Sequence, residues 1–564
     1  MSLDPETQAA LQQAMRAAQS GDMGSAQAIA ETALADGGDV VALNAFLGMV
    51  HARAGRKEAA AAHLQRAHHE RSADVTIACN LISILIELND HASALDVAPA
   101  ELAFSDPSLR VARYRGFLAQ SLERFDDAVE AYDFVVARAA DDFESWNNLG
   151  NARSALGDLE GSVAALERAV TLDPNAPPAR INLATALRAA GRNAESEQVL
   201  RKAMADFPSD AHAPHELYVQ LKVEMRSEEA LPAIQEAARR DPDNASLQLK
   251  LGIESGLARL LPQAEAAYRR AITIEPTLTD AYLGLIIQYE HSNREEEFTP
   301  LIALGEANGL EEGALAFMRA MEHRRAGRFE EALALLAQVP ETVDPERTMH
   351  LRGTLLDRLN RPAEAFVAFV ATNELHAKAL SDPLARAAGL RDELRTDQAM
   401  MTPEWVAGWS GTISAPERPD PVFLVGFPRS GTTLLDTILM GHPDTIVMEE
   451  QPPLNIVDKK LGGLSALATM DEAALGAARD HYYREVETIQ PLEPGRLLVD
   501  KSPLFLTKAL LIARLFPNAR FILALRHPCD VLLSCFMSNF RLNSAMSNFL
   551  RLGDAAEFYD LVFQ

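Results

Sequence analysis

Residue types recur along this chain at a fixed interval of 34 positions, and that interval restricts the fold more than composition does. From Trp146, Leu149, Gly150, Gly157, Leu166, Ala169 and Pro174, repeated steps turn Pro174 into Pro208, Pro242 and Pro276. The same steps turn Ala169 into Ala203, Ala237 and Ala271. A turn position carries Gly21, Gly55, Asn89, Gly157, Gly191, Asn293 and Gly327. A small-residue position carries Ala26, Ala60, Ala94, Ala128, Ala230, Ala264 and Ala332. An eleventh copy, displaced by one residue, holds Gly353, Asn360, Ala365 and Phe369. Each type has a physical role. Gly or Asn ends the first helix of a pair in the left-handed conformation, alanine lets the two helices approach closely, and proline stops the second helix. The Ala- and Leu-rich segments between them have good helix propensity. One pair cannot bury its apolar face alone, so stacked copies form an α-solenoid.

Over residues 7–378, about eleven repeats, the pattern resembles the tetratricopeptide repeat family. It departs from that family in places: Trp146 is the only Trp at its repeat position, and in the repeat from 279 Phe298 stands where alanine is usual, so distortion is expected there. The resemblance implies a helical superhelix whose concave face takes peptides or partner proteins. A plain spacer or a platform for self-association is the alternative. The net charge of −27 argues against a nucleic-acid or anionic-membrane partner. That charge is uneven: from Pro421 onward 13 Lys/Arg stand against 16 Asp/Glu, so the first 420 residues carry most of the acidity. The C-terminal segment is thus suited to an anionic small-molecule ligand.

Between 379 and 420 the lattice fades. Leu380 to Leu394 reads as a packing helix. Trp405 and Trp409, four apart, read as core at a domain junction, and the polar, proline-containing stretch 413–421 reads as a linker.

At Pro421 the pattern changes to alternating strand and helix, which predicts an α/β domain with a parallel sheet and ligands at the carboxyl ends of its strands. Val422 to Val425 is a continuous apolar run, expected as a buried strand. A turn with Gly426, Pro428 and Gly431 follows, and a helix opens at Thr432 and Thr433. Strand, glycine loop and helix N-terminus form an anion cradle, because loop amides and the positive helix end face the ligand. Further strands are expected at Thr445–Met448, Leu497–Val499 and Arg520–Leu525, with helices at Thr432–Met440, Asp471–Ile489 and Leu504–Phe516, and one that follows Arg526-His-Pro-Cys-Asp530 and runs to about Asn539. The polar clusters Glu449-Glu450, Asp500-Lys501-Ser502 and Arg526-His527 all fall where strands end. The cradle has P-loop spacing, but Thr432 replaces the lysine that reaches β- and γ-phosphates, which disfavours Mg-nucleotide chemistry.

Phe427-Pro-Arg-Ser-Gly-Thr-Thr433 resembles the 5′-phosphosulfate loop of sulfotransferases that use 3′-phosphoadenylyl sulfate (PAPS). Arg526, with Ser534 eight residues later, resembles their 3′-phosphate site. Within that superfamily the sequence is most similar to protein-tyrosine sulfotransferases and to bacterial proteins that fuse tetratricopeptide repeats to a sulfotransferase domain. The resemblance implies that residues 421–564 are the N-terminal portion of a P-loop-like sulfotransferase domain using PAPS as co-substrate without a metal. It implies that Arg429, Ser430, Gly431, Thr432 and Thr433 hold the 5′-phosphosulfate, and that Arg526 and Ser534 hold the 3′-phosphate. Glu450 is implied as general base for the acceptor hydroxyl, with Lys501 and Arg429 stabilising charge in the transition state. The tyrosine-specific enzymes follow the glutamate with a basic substrate-orienting residue, where Gln451-Pro452 stand here. The acceptor is accordingly left open between protein tyrosine, a saccharide and a small alcohol.

The bland readings are a solvated acidic turn at Glu449-Glu450 and a Lys501 that pairs only with Asp500. His442 and His527 are read as structural, and Cys529 and Cys535 as helix packing. Three cysteines in no metal or disulfide spacing, with a polar acidic start, set cytoplasm as the expected location. The sequence stops within a helical pattern at Phe558–Gln564, and residues 421–564 are shorter than the family's domain, so a truncated or reduced domain is expected. The competing function is a repeat scaffold carrying an incomplete, inactive sulfotransferase remnant.

Overall fold

The computed structural model describes residues 4–409 and 418–564. Most of the expected linker over 413–421 lies outside them. The chain divides into two compact units, Met1–Glu275 and Pro276–Gln564.

The first unit consists of paired antiparallel helices, from Pro5–Gln19 with Met23–Ala35 to Ala245–Leu257 with Leu261–Ile274. The lattice positions behave as their chemistry demands. Ala26, Ala60, Ala94, Ala128, Ala230 and Ala264 are fully buried, and Ser162 and Ser196 fill the same position in two copies. Gly21, Gly55, Asn89, Gly157 and Gly191 adopt positive φ. So do Glu123, Met225 and Arg259, which occupy the same lattice position without a permissive side chain. One copy departs from the pattern: its second helix is split into His91–Asp96 and Ala100–Ser105, with Pro99 starting the second piece.

The second unit begins with further pairs. The repeat from 279 is distorted as expected: a 3-10 turn at Glu295–Glu297 precedes Phe298–Ala307, and Phe298 is buried. Pairs at Glu312–Arg325 with Phe329–Leu336 and at Pro345–Arg358 with Pro362–Ala377 follow, then the helix Pro383–Met400. Trp405 lies in the short helix Pro403–Ala407, while Trp409 lies beyond it. Their rings meet edge to face at 5.2 Å, and Trp405 packs against the sheet core.

That sheet has four parallel strands, β1 (Val422–Gly426), β2 (Thr445–Glu449), β3 (Leu497–Lys501) and β4 (Arg520–Ala524), in the order β2-β3-β1-β4. Central β1 is buried along its whole length. Its Phe423 and Val425 pack with Tyr482, Val486 and Phe516 on one face. Val422 and Leu424 pack with Val499 and Leu439 on the other. β4 is an edge strand, and Phe521 and Leu523 on it are exposed, as is Leu525 just beyond. The single helix expected over Leu504–Phe516 is a 3-10 stretch, Pro503–Lys508, followed by Ala509–Leu515.

Candidate active site

All four strands run parallel, so their carboxyl ends share one edge. The predicted site residues gather there. β1 ends at Gly426, and the loop Phe427–Gly431 leads into the helix Thr432–Met440. Gly426 is obligatory: a Cβ there would lie 2.8 Å from both the Ala524 carbonyl and Ser430 Oγ. The loop turns through two positive-φ residues, Arg429 at 70° and Gly431 at 100°. Gly431 caps the helix without a side-chain hydrogen bond, which leaves the first-turn N–H groups for an external anion. One expected donor is otherwise engaged, since the Ser430 amide donates within the loop to the Phe427 carbonyl at 3.1 Å. The open amides therefore begin at Gly431. Ser430 Oγ is buried and has no hydrogen-bond partner among the described residues. Thr432 is buried and Thr433 exposed.

From the other side, the helix Pro528–Phe536 follows β4 and brings Ser534 to the loop. Arg429 Nε donates to Ser534 Oγ at 3.1 Å. Arg526 Nη1 reaches the Arg429 carbonyl at 3.5 Å, and its Nε lies 3.8 Å from Asp530. Two guanidinium groups, a hydroxyl and a helix N-terminus thus converge on one place. Cys535 is buried and donates to the Pro428 carbonyl at 3.4 Å, bracing the loop from behind. Cys529 is exposed, so it does not pack the helix as expected. His442 accepts the Asp444 amide in its turn at 3.2 Å, a structural role.

A second cluster lies at the ends of β2 and β3. Lys501 is fully buried, and its Nζ lies 3.0 Å from each of Asp436 Oδ2, Glu449 Oε1 and Glu450 Oε1. Burial works against the ammonium, but the three carboxylates outweigh it and hold Lys501 above its ordinary value. Glu450 adopts φ 51°, and its amide donates to the Lys501 carbonyl at 2.7 Å. That bond fixes the two strand ends against each other. Lys501 does not pair with Asp500. Successive strand residues point to opposite faces, and Asp500 accepts instead from the Tyr482 hydroxyl at 2.7 Å. Burial pushes the Asp500 carboxyl up to about 7.

Asp436 was not among the residues that sequence reasoning selected. Its signal is nevertheless present: one carboxylate, one turn after Thr432, inside the otherwise apolar run Leu434-Leu-Asp-Thr-Ile438. A charge on the inward side of a nine-residue helix needs a buried partner.

An oxygen-rich anion fits these residues. The glycine cradle admits no side chain at 426, the Ser430 hydroxyl has no partner of its own, and two arginines stand beside a helix N-terminus. Lys501 and its carboxylates add a place where a proton can be taken and charge countered.

Residues 421–563 match the sulfotransferase family. Residues 11–75, 115–177 and 154–221 match tetratricopeptide repeats. An uncharacterized protein of Aquifex aeolicus is 23% identical over 462 residues, covering 74% of this chain and 57% of its own length. Protein-tyrosine sulfotransferase 1 of Mus musculus is 36% identical over 114 residues, covering 19% of this chain and 30% of its own. Protein-tyrosine sulfotransferase 2 of Gallus gallus is 34% identical over 117 residues, with the same coverage. The chain therefore spans less than two thirds of each of these relatives. Among solved structures, a tetratricopeptide repeat protein from Parabacteroides merdae aligns with 44% of this chain and 99% of its own at 14% identity and a TM-score of 0.34.

Proposed function

We propose, proceeding from a chain that carries tetratricopeptide repeats and a sulfotransferase-family domain at residues 421–563, that it transfers a sulfuryl group from PAPS to an acceptor hydroxyl. The observation that carries this reading is the meeting of Arg429, Arg526 and Ser534 beside the open helix N-terminus at Gly431. When bound, PAPS supplies the sulfuryl group and a 5′-phosphate that can leave. The Gly431–Thr433 amides, the Thr432 and Thr433 hydroxyls and Arg429 bind the 5′ end, with the unpartnered Ser430 hydroxyl beside them. Arg526 holds the 3′-phosphate as a fork of donors, and Ser534 supports it. Glu450 takes the acceptor proton, for which its exposed carboxylate is suited. Lys501 and Arg429 oppose the negative charge that grows on the transferring oxygens.

The acceptor is a protein tyrosine, a saccharide hydroxyl or a small alcohol, and the repeat arm recruits it or a partner protein. The likeness to protein-tyrosine sulfotransferases supports tyrosine, while Gln451-Pro452 weigh against it. No helix among the described residues is long and apolar enough to cross a membrane. In this reading the protein acts in the cytoplasm.

Binding is tested by thermal shift with adenosine 3′,5′-bisphosphate. The wild type should gain several degrees at saturating ligand, and Arg526→Ala should lose most of that gain. No gain in the wild type, with Arg526→Ala behaving identically, would sink the proposal. Transfer is tested by incubating labelled PAPS with tyrosine peptides and oligosaccharides. A second reading makes the repeat array the working part and the catalytic module inert. It is favoured by the pairing of Lys501 with three carboxylates, and ligand binding without transfer to any acceptor would support it.

A further inference from the structure

An ammonium has three N–H donors, and Lys501 has three carboxylates at 3.0 Å. Two of its donors go to Glu449 and Glu450, while Asp436 Oδ2 faces the ammonium as an ion-pair partner without a hydrogen bond. The three partners are not equivalent. Asp436 is 1% exposed, whereas Glu449 and Glu450 are 44% and 58% exposed. Asp436 stands on the helix that opens at the cradle, with its backbone fixed within a turn of Thr432. Glu449 and Glu450 end β2 and face solvent, and Glu450 sits at a backbone conformation that an L-residue adopts at a cost. Three carboxylates around one lysine leave a local excess of negative charge, the wrong sign for receiving an anion. One carboxylate must therefore withdraw when an anion arrives, and the exposed one loses least by returning to water.

We infer that Asp436 is the permanent counter-ion that positions Lys501, while Glu450 is an exchangeable one that releases a Lys501 donor when the anion binds. The inference rests on reading the site as a phosphosulfate site and adds a residue to it. In the transfer step, the acceptor oxygen forms its bond to sulfur as the bond from sulfur to the bridging oxygen breaks. The electron pair of that bond leaves with adenosine 3′,5′-bisphosphate. The acceptor proton goes to the Glu450 carboxylate, freed from Lys501. Lys501 keeps its proton throughout and contributes a hydrogen bond, so its geometry and charge have to be maintained by a group that stays. Asp436 is that group. It touches neither substrate, and its role is positioning.

The groups facing Lys501 are Asp436 from the helix and Glu449 and Glu450 from the end of β2, while Asp500 on its own strand faces Tyr482. The test is the titration of the Lys501 Nζ resonance in the full chain without nucleotide, assigned by its loss in Lys501→Met. Asp436→Asn should raise the acidity of Lys501 about tenfold or more, one unit or more of pKa. Asp436→Glu should restore most of it, and Glu450→Gln should change it less than about threefold. Equal effects of Asp436→Asn and Glu450→Gln, or none from Asp436→Asn, overturn the inference. If Asp436→Asn does not fold, Asp436→Asn combined with Lys501→Met should recover the melting temperature, because a buried ammonium that has lost its buried partner and keeps only exposed ones costs more than a missing pair. Failure to recover overturns the inference as well. Because the titration uses no nucleotide, a failure of adenosine 3′,5′-bisphosphate to bind would count against the site reading and leave Asp436 to be judged separately.

Discussion

Arg429 and Glu450 both hold left-handed backbone at the candidate site, and neither residue type is suited to it. Such conformations persist where surrounding contacts over-determine them. Here the contacts are the Arg429 hydrogen bond to Ser534 and the Glu450 amide bond to Lys501. In the repeats the same strain occurs with no site to explain it, at Glu123, Met225 and Arg259. Replacing Met225 with glycine should stabilise the protein by up to about 1 kcal/mol, read from a denaturant midpoint. These three were illegible in the sequence, because about 1 kcal/mol of backbone strain is outweighed by the packing of a whole repeat. The glycines and asparagines at the other copies were legible, because there residue type and conformation agree. Asp500 supplies a pH signature. Its folded value, about 7, lies above its ordinary 3.8, so the folded state holds the proton longer. Its contribution is present below pH ~4 and is lost as pH rises through 7. Asp500→Asn should flatten that decline in melting temperature, and an unchanged slope would count against the assignment.

At the scale of elements, helix contact decides what a glycine does. A Cβ on Gly252 would lie 2.7 Å from the Tyr268 ring, in the facing helix of its pair. Gly252→Ala should therefore destabilise by about 1–3 kcal/mol through overpacking. Gly389, inside Pro383–Met400, has open space where its Cβ would be. Gly389→Ala should stabilise by about 0.5–1 kcal/mol, and calorimetry of the two variants should show opposite shifts. The strands were legible to within two residues, because buried parallel strands are unbroken apolar runs, and the largest miss is the polar end of β3 at Asp500-Lys501. The helix over Leu504–Phe516 was less legible. Its apolar pattern is right, but Pro503 and the tight exit from β3 favour a 3-10 start. The partners of Lys501 could not be read either, since the helix carrying Asp436 and the end of β2 carrying Glu449 and Glu450 meet it only through the sheet order.

In the molecule as a whole, the last repeats and the sheet domain share apolar clusters. Phe536 packs with Leu356, Ala365 and Phe369. Leu390 and Leu394 pack against a cluster holding Phe427, Phe549 and Phe558. Asn373 Nδ2 donates to the Phe536 carbonyl and His350 Nε2 lies 3.0 Å from that of Met537, while Arg391 donates to Asn548. A fragment beginning at 421 should therefore expose these faces and lack a cooperative melt, whereas residues 4–275 should unfold cooperatively by themselves. The change of pattern at Pro421 was visible in the sequence, but not that the two patterns share apolar clusters, since most of the contacting residues lie more than a hundred positions apart. The helix Pro528–Phe536 spans this seam. It presents Ser534 to Arg429 and, two residues on, plants Phe536 among the repeat helices. One short helix thus ties the position of the hydroxyl beside the glycine loop to the packing of the last repeat pair.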